Sequence, residues 1–131
     1  MSVSSEAYQK EIVMGAPNAS LPFSAVVAYG SLLFISGKVG RDPQGGIASG
    51  DIHGQTLQTM ENIKANLEQA HSSLSQVLKV TVFITDMGRF TEMNRAYVQF
   101  FKSDLPARSC VEVVKLPDPD ALVEIEVIAY R

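Results

Sequence analysis

Residues 106–131 read PARSCVEVVKLPDPDALVEIEVIAYR, two strand-like runs joined by a Pro/Asp turn. Successive side chains on a strand point to opposite faces, so each run sorts into two rows. In the first run Ser109, Val111 and Val113 fall on one side, and Arg108, Cys110 and Glu112 on the other. In the second, Val123, Ile125, Val127 and Ala129 form an unbroken apolar row opposed by Leu122, Glu124, Glu126, Ile128 and Tyr130. With both valine rows turned to the core, Arg108, Cys110, Glu124 and Glu126 are expected to share the opposite face. An arginine, a thiol and two carboxylates on one sheet face suggest a small polar pocket.

Upstream, Val77–Thr85 (VLKVTVFIT) is rich in β-branched and aromatic residues and predicts a third strand, ended by Asp86-Met87-Gly88. Helical stripes flank it. Met60, Ile63, Leu67, Ala70 and Leu74 recur at three- and four-residue steps and predict a helix over Asp51–Leu74, with Asp51 as its cap. Phe90, Met93, Tyr97 and Phe100 or Phe101 predict a second helix over Phe90–Lys102 and are read as core. Ala25–Tyr29 and Leu32–Ser36 flank Gly30-Ser31, a hairpin signal. Gly15–Ser24 and Gly37–Gly50 read as loop and turns, Glu11–Met14 as a short edge strand, and Met1–Lys10 as a polar end that frays.

The order predicts an α+β, two-layer sandwich: a mixed sheet of five or six strands with both helices on one face. The other face then lacks cover from its own chain. Apolar patches and half-buried charges are poorly tolerated there, so a symmetric oligomer is expected, with a pocket at the subunit boundary.

The 131 residues fit one domain, 1–131, and 46% are hydrophobic, enough for a core. The formal charge of −3, without a run of Lys and Arg, argues against nucleic acid as a partner. The single cysteine forms no internal disulfide and fits a reducing compartment. With no signal-peptide pattern and no apolar run of membrane-spanning length, the expected location is the cytoplasm.

Several stretches together resemble the RidA family, also known as YjgF/YER057c/UK114 and endoribonuclease L-PSP. They are ISGKVG at 35–40, ENIKANLEQA at 61–70, KVTVFITDMGRFTEMNRAYVQFF at 79–101, PARSCVEVVKLP at 106–117 and VEIEVIA at 123–129. The resemblance implies a chorismate-mutase-like fold with a six-stranded sheet, a barrel-like homotrimer and sites between subunits. It implies hydrolysis of 2-imino acids, such as 2-iminobutanoate and 2-iminopropanoate, to 2-oxo acids and ammonia, without cofactor or metal. By the same resemblance the substrate-carboxylate arginine falls on Arg108, the pocket cysteine on Cys110, the glutamate on Glu124, the serine on Ser36 and the asparagine on Asn94. A pocket tyrosine of the family falls on Phe23, which keeps the ring and loses the hydroxyl. Lys38 and Gly40 stand where glutamine and proline are common.

The chemistry of these residues fits that reaction, and each has a plainer reading. Arg108 offers a planar fork that suits a carboxylate, or else pairs structurally with Glu124 or Glu126. Glu124 is the candidate to position water and move a proton; burial would raise its pKa and a nearby arginine would lower it. Glu126 is assigned to pairing between subunits. A nucleophilic Cys110 would need a base, and neither His53 nor His71 is placed to serve. Its backbone carbonyl is the better candidate to hold the water, with the thiol filling space. The two histidines and Cys110 do not have the spacing of a metal set. Ser36 could donate to the substrate carboxylate or simply to backbone, Asn94 could reach a neighbouring site or face solvent, and Phe23 could wall the pocket or belong to the core. A non-catalytic trimer that binds small carboxylates or regulates a partner through the same pocket is the second reading and a ribonuclease the third.

Overall fold

The structure, a computed structural model, describes residues 8–48 and 50–131; most of the predicted fraying end, residues 1–7, lies outside the described residues. Six strands form one mixed sheet: β1 (Lys10–Gly15), β2 (Ser24–Tyr29), β3 (Leu32–Lys38), β4 (Val77–Ile84), β5 (Ala107–Glu112) and β6 (Val123–Tyr130). Two helices, α1 (Ile52–Gln69) and α2 (Phe90–Val98), complete the α+β sandwich. The sheet order is β1-β2-β3-β6-β4-β5. β4 and β5 run parallel, joined through α2, and every other pair is antiparallel.

The local signals account for these elements. Gly30, at φ 62°, turns the β2–β3 hairpin and pairs Tyr29 with Leu32. Asp51 caps α1 by accepting from the Gly54 N–H at 2.6 Å. Gly54 costs that helix about 1 kcal/mol relative to alanine, but Ile52, Met60, Ile63 and Leu67 are wholly buried. At about 1.5–3 kcal/mol for each such side chain, packing decides the outcome. α1 is shorter than its apolar stripe because the chain turns at His71, φ 65°, and Leu74 re-enters in a single 3₁₀ turn. α2 likewise ends at Val98, and the next residues continue as tighter turns, with Phe100 N–H donating to the Tyr97 carbonyl. Gln55 on α1 pins the Pro/Asp turn. Its side-chain amide donates to the Asp120 carbonyl at 3.1 Å and accepts from the Leu122 N–H at 2.8 Å, which fixes where β6 begins.

β6 obeys its alternation. Val123, Ile125, Val127 and Ala129 lie in the core, and Glu124, Glu126, Ile128 and Tyr130 occupy the helix-free face. β5 does not follow the expected orientation. Arg108 pairs with Val80 and Cys110 with Val82, and both valines are fully buried in the helix-side core. Residues opposed across a ladder share a face. Arg108 and Cys110 therefore lie on the helix side, while Ser109 and Val111 share the open face with Glu124 and Glu126. The expected grouping of Arg108, Cys110, Glu124 and Glu126 on one face is corrected. Its physical cause is the position of β5 at the sheet edge, where the helix layer thins out and polar residues on the helix side still reach solvent.

The open face is strongly apolar. Ile12, Tyr29, Leu32, Phe34, Val111 and Tyr130 lie on it, each between 37% and 52% exposed. An apolar surface of that extent marks an interaction face.

Candidate functional site

Arg108 is positioned by α2. Phe90 and Tyr97 stand seven residues apart, two helical turns, and so present their rings on one side. The Arg108 guanidinium carbon lies 4.8 Å from the Tyr97 ring centroid and 5.5 Å from that of Phe90. Such stacking is worth about 0.5–2 kcal/mol and restrains the fork while leaving its N–H donors free. Among the described residues Arg108 forms no salt bridge. Within one chain, therefore, Arg108 does not make the structural pairing with Glu124 or Glu126. Asn94, one turn before Tyr97, has a buried side-chain oxygen without a hydrogen-bond partner. Asn94, Tyr97, Leu105, Pro106 and Arg108 line a cavity of about 310 Å³. Burial pushes the Tyr97 hydroxyl above its ordinary pKa against the opposing pull of Arg108, so it stays a neutral phenol.

Cys110 is two residues along the same row and half-buried. Burial raises its thiol pKa, and the charge of Arg108 opposes the shift without reversing it. The thiol is thus held protonated, poor material for a nucleophile. Its backbone is better placed for chemistry. The Val113 N–H donates to the Ile84 carbonyl on β4 at 2.9 Å. By two-residue alternation, the N–H and C=O groups of Arg108 and Cys110 point to the free edge of the sheet, where no strand among the described residues pairs with them.

Glu124 belongs to a second cluster. On the open face it packs against Gly37 of β3 so closely that a Cβ there would lie 2.9 Å from both its Cδ and Oε2. Burial, then the charge of Glu126, raise its carboxyl pKa; Arg108 is too far around the sheet to lower it. Ser36 donates its hydroxyl to the Ser24 carbonyl at 2.7 Å, the plainer of its two readings. Phe23 is 49% exposed, so it is not a core residue. With Pro17, Gly37, Lys38 and Asn66 it lines a cavity of about 400 Å³.

The six sequence candidates thus divide. Arg108, Asn94 and Cys110 form one half; Glu124, Phe23 and, beside them, Ser36 form the other. β4 lies between β5 and β6, and Arg108 pairs with Val80 whereas Glu124 pairs with Phe83, so the two backbones are two strand spacings apart across the sheet and three residues apart along it, about 14 Å in all, with side chains on opposite faces. A small acid cannot touch both within one chain. Three contributors escaped the sequence reading. Phe90 and Tyr97 were read as core, and their i, i+7 spacing shows a shared helix face without revealing the arginine it meets. Gly37 gave no local signal, because its closeness to Glu124 is a tertiary contact. Among the described residues, no group of three or more His, Cys, Asp or Glu side chains is placed to hold a metal ion.

The sequence model described as endoribonuclease L-PSP matches residues 13–131. The chain belongs to this family, the RidA family. A RutC family protein of Pyrococcus horikoshii is 47% identical over 125 residues, covering 93% of this chain and 98% of the relative. A Salmonella typhimurium protein named 2-iminobutanoate/2-iminopropanoate deaminase is 40% identical over 119 residues, covering 88% and 92%. Among solved RidA-like structures, Escherichia coli TdcF with bound serine superposes with a TM-score of 0.80 at 41% identity, covering 89% of this chain and 94% of that one. No helix among the described residues is long and apolar enough to cross a membrane.

Proposed function

We propose that this RidA-family chain hydrolyses short 2-imino acids, such as 2-iminobutanoate and 2-iminopropanoate, to 2-oxo acids and ammonia. The observation that carries this reading is the Arg108 guanidinium, seated on two aromatic rings beside a cavity and with no carboxylate partner among the described residues. A free, oriented fork of donors is what a substrate carboxylate requires. The deaminase name of the Salmonella relative and the amino acid bound by TdcF support the same choice of ligand.

The active unit is a homotrimer in which one copy lends Arg108, Asn94 and the Cys110 backbone, and its neighbour lends Glu124, Gly37 and Phe23. The opposite-face placement of Arg108 and Glu124, the apolar open face and the free edge of β5 all favour this arrangement. In the reaction Arg108 holds the carboxylate and a carbonyl at the β5 edge orients water toward the imine carbon. Glu124 takes a proton from the attacking water and delivers it to the imine nitrogen, giving a carbinolamine; it then takes the proton of the carbinolamine hydroxyl as the C–N bond breaks and passes it to the departing ammonia. Burial and the charge of Glu126 raise the carboxyl's pKa, which makes it a readier proton acceptor and donor for that transfer. The chain's own residues account for each of these steps without a cofactor. The single cysteine fits a reducing compartment, and we place the protein in the cytoplasm.

The test is to generate imine in situ with an amino-acid oxidase and follow its decay with the protein present. Acceleration that disappears in Arg108→Ala supports the reading, and no acceleration by the wild-type trimer counts against it. A carboxylate-binding trimer without turnover is the second reading, favoured by the missing hydroxyl at Phe23. Binding of a 2-oxo acid without imine decay would select it. Ribonuclease activity is disfavoured by the charge of −3.

A further inference from the structure

Phe90, Asn94 and Tyr97 stand four and three residues apart on α2, so they form one stripe of the helix. That stripe meets Arg108, through the two rings and through the cavity that Asn94 and Tyr97 line with it. Tyr97 is 6% exposed, and its ring packs on Phe101 with centroids 5.1 Å apart. Among the described residues its hydroxyl takes part in no hydrogen bond. It is nevertheless not one of the wholly buried polar atoms left without a partner, which belong to Thr56, Asn66 and Asn94. A phenol oxygen that is neither bonded nor sealed off meets open space, and the space Tyr97 lines is the 310 Å³ cavity beside Arg108.

The lining of that cavity is one-sided. Its polar members are Arg108, Tyr97 and Asn94, its apolar ones Val98, Leu105 and Pro106, and no carboxylate is among them. Asn94 keeps its oxygen buried, which leaves the amide nitrogen as the end able to turn outward. The Tyr97 hydroxyl feels the charge of Arg108, and burial holds it in the protonated, donating form. The cavity therefore offers a positive charge and hydrogen-bond donors with no anion to oppose them. A carboxylate has about four lone-pair positions, of which a two-pronged guanidinium fills two, so it can take a further donor.

We infer that the Tyr97 hydroxyl is a substrate-binding donor, giving a hydrogen bond to the carboxylate gripped by Arg108 while its ring carries the guanidinium. The inference rests on the deaminase reading for turnover, but it can be tested by binding alone. The probe is 2-oxobutanoate, the product of 2-iminobutanoate hydrolysis, titrated by calorimetry into the full-length protein. Tyr97→Phe keeps the ring and removes only the hydroxyl. Its melting temperature should hold while the dissociation constant rises about tenfold, the lower end for a hydrogen bond to a charged group. Tyr97→Leu removes the platform as well and should weaken binding further. In the imine assay the loss in Tyr97→Phe should sit in KM more than in kcat, because the carboxylate does not react. A dissociation constant within twofold of wild type in Tyr97→Phe overturns the inference. So does a wild-type complex with 2-oxobutanoate in which the Tyr97 oxygen lies more than about 3.5 Å from the carboxylate, a result that needs no variant. Turnover separates this inference from the deaminase reading. Weaker binding in Tyr97→Phe without decay of any imine sinks the enzyme and leaves the donor standing; imine decay with equal binding by the two proteins does the reverse.

Discussion

Replacing Arg108 with alanine should lower kcat/KM for 2-iminopropanoate by about 10²–10³-fold. On the proposed reading the fork would make two charge-assisted hydrogen bonds to the substrate carboxylate, each worth about 1.5–3 kcal/mol, of which roughly 3–4 kcal/mol would be lost as transition-state binding. The fold should notice the change much less. Arg108 has no ion pair to lose among the described residues and gives up only its stacking on Phe90 and Tyr97. At a partly exposed site that is worth about 0.5–1 kcal/mol, or ~2–5 °C in Tm for a chain of this size. Arg108→Lys keeps the charge but not the fork or the flat stacking surface, so it should recover part of the loss and fall short of wild type. The assay produces imine with an amino-acid oxidase, traps what remains with semicarbazide and reads the suppression of semicarbazone formation. Light scattering and a melting curve run alongside. A folded, correctly assembled Arg108→Ala protein within twofold of wild type would refute the assignment of the fork to the substrate.

Three further outcomes follow from the Glu124 cluster and from Cys110. Glu124→Gln should lower kcat by about 10²–10⁴-fold, the usual scale for a lost acid–base group, as read in the same assay. It should also melt higher than wild type at neutral pH. The wild-type carboxyl has its folded pKa raised above 4.5, so its contribution to stability is greatest below that value and is lost as pH rises through the folded pKa; the calorimetric gap should close in acid, and an unchanged gap contradicts the burial argument. Gly37→Ala would put a methyl carbon 2.9 Å from the carboxyl group, so turnover should collapse while the melting temperature moves little; retained turnover would show that the Glu124 position is not critical. Cys110→Ala should keep activity within a few-fold of wild type, and slow alkylation of the native thiol should confirm that it is protonated; a dead but folded variant would argue for covalent catalysis.

The legibility of this fold in its sequence depends on contrast between faces. β6 could be oriented from its pattern because four apolar residues oppose two glutamates. α1 could be bounded at its start because Asp51 stands before the stripe, though its end could not, since Leu74 continues the period after the backbone has turned at His71. β5 was misread for a reason that periodicity cannot resolve. Its alternation is real, but at a sheet edge the apolar row Val111 and Val113 need not face the chain's own core; Val111 is 43% exposed. Apolar residues there can serve a second copy. The family resemblance supplied the candidate residues without saying which of them meet in one chain. The division into an Arg108 half and a Glu124 half emerged from strand order, and strand order is a long-range property.

The central claim is that Arg108 of one copy works with Glu124 of another. Mixing Arg108→Ala and Glu124→Gln proteins, each nearly inactive alone, then unfolding and refolding them together, tests it directly. With random assembly of equal amounts, each site draws its two halves from independent copies, and about one quarter of the sites should be wholly native. Recovery to about a quarter of wild-type turnover is the predicted result. Refolded mixed oligomers with no more activity than the parents would contradict it, because a site contained within one chain could never be restored by mixing.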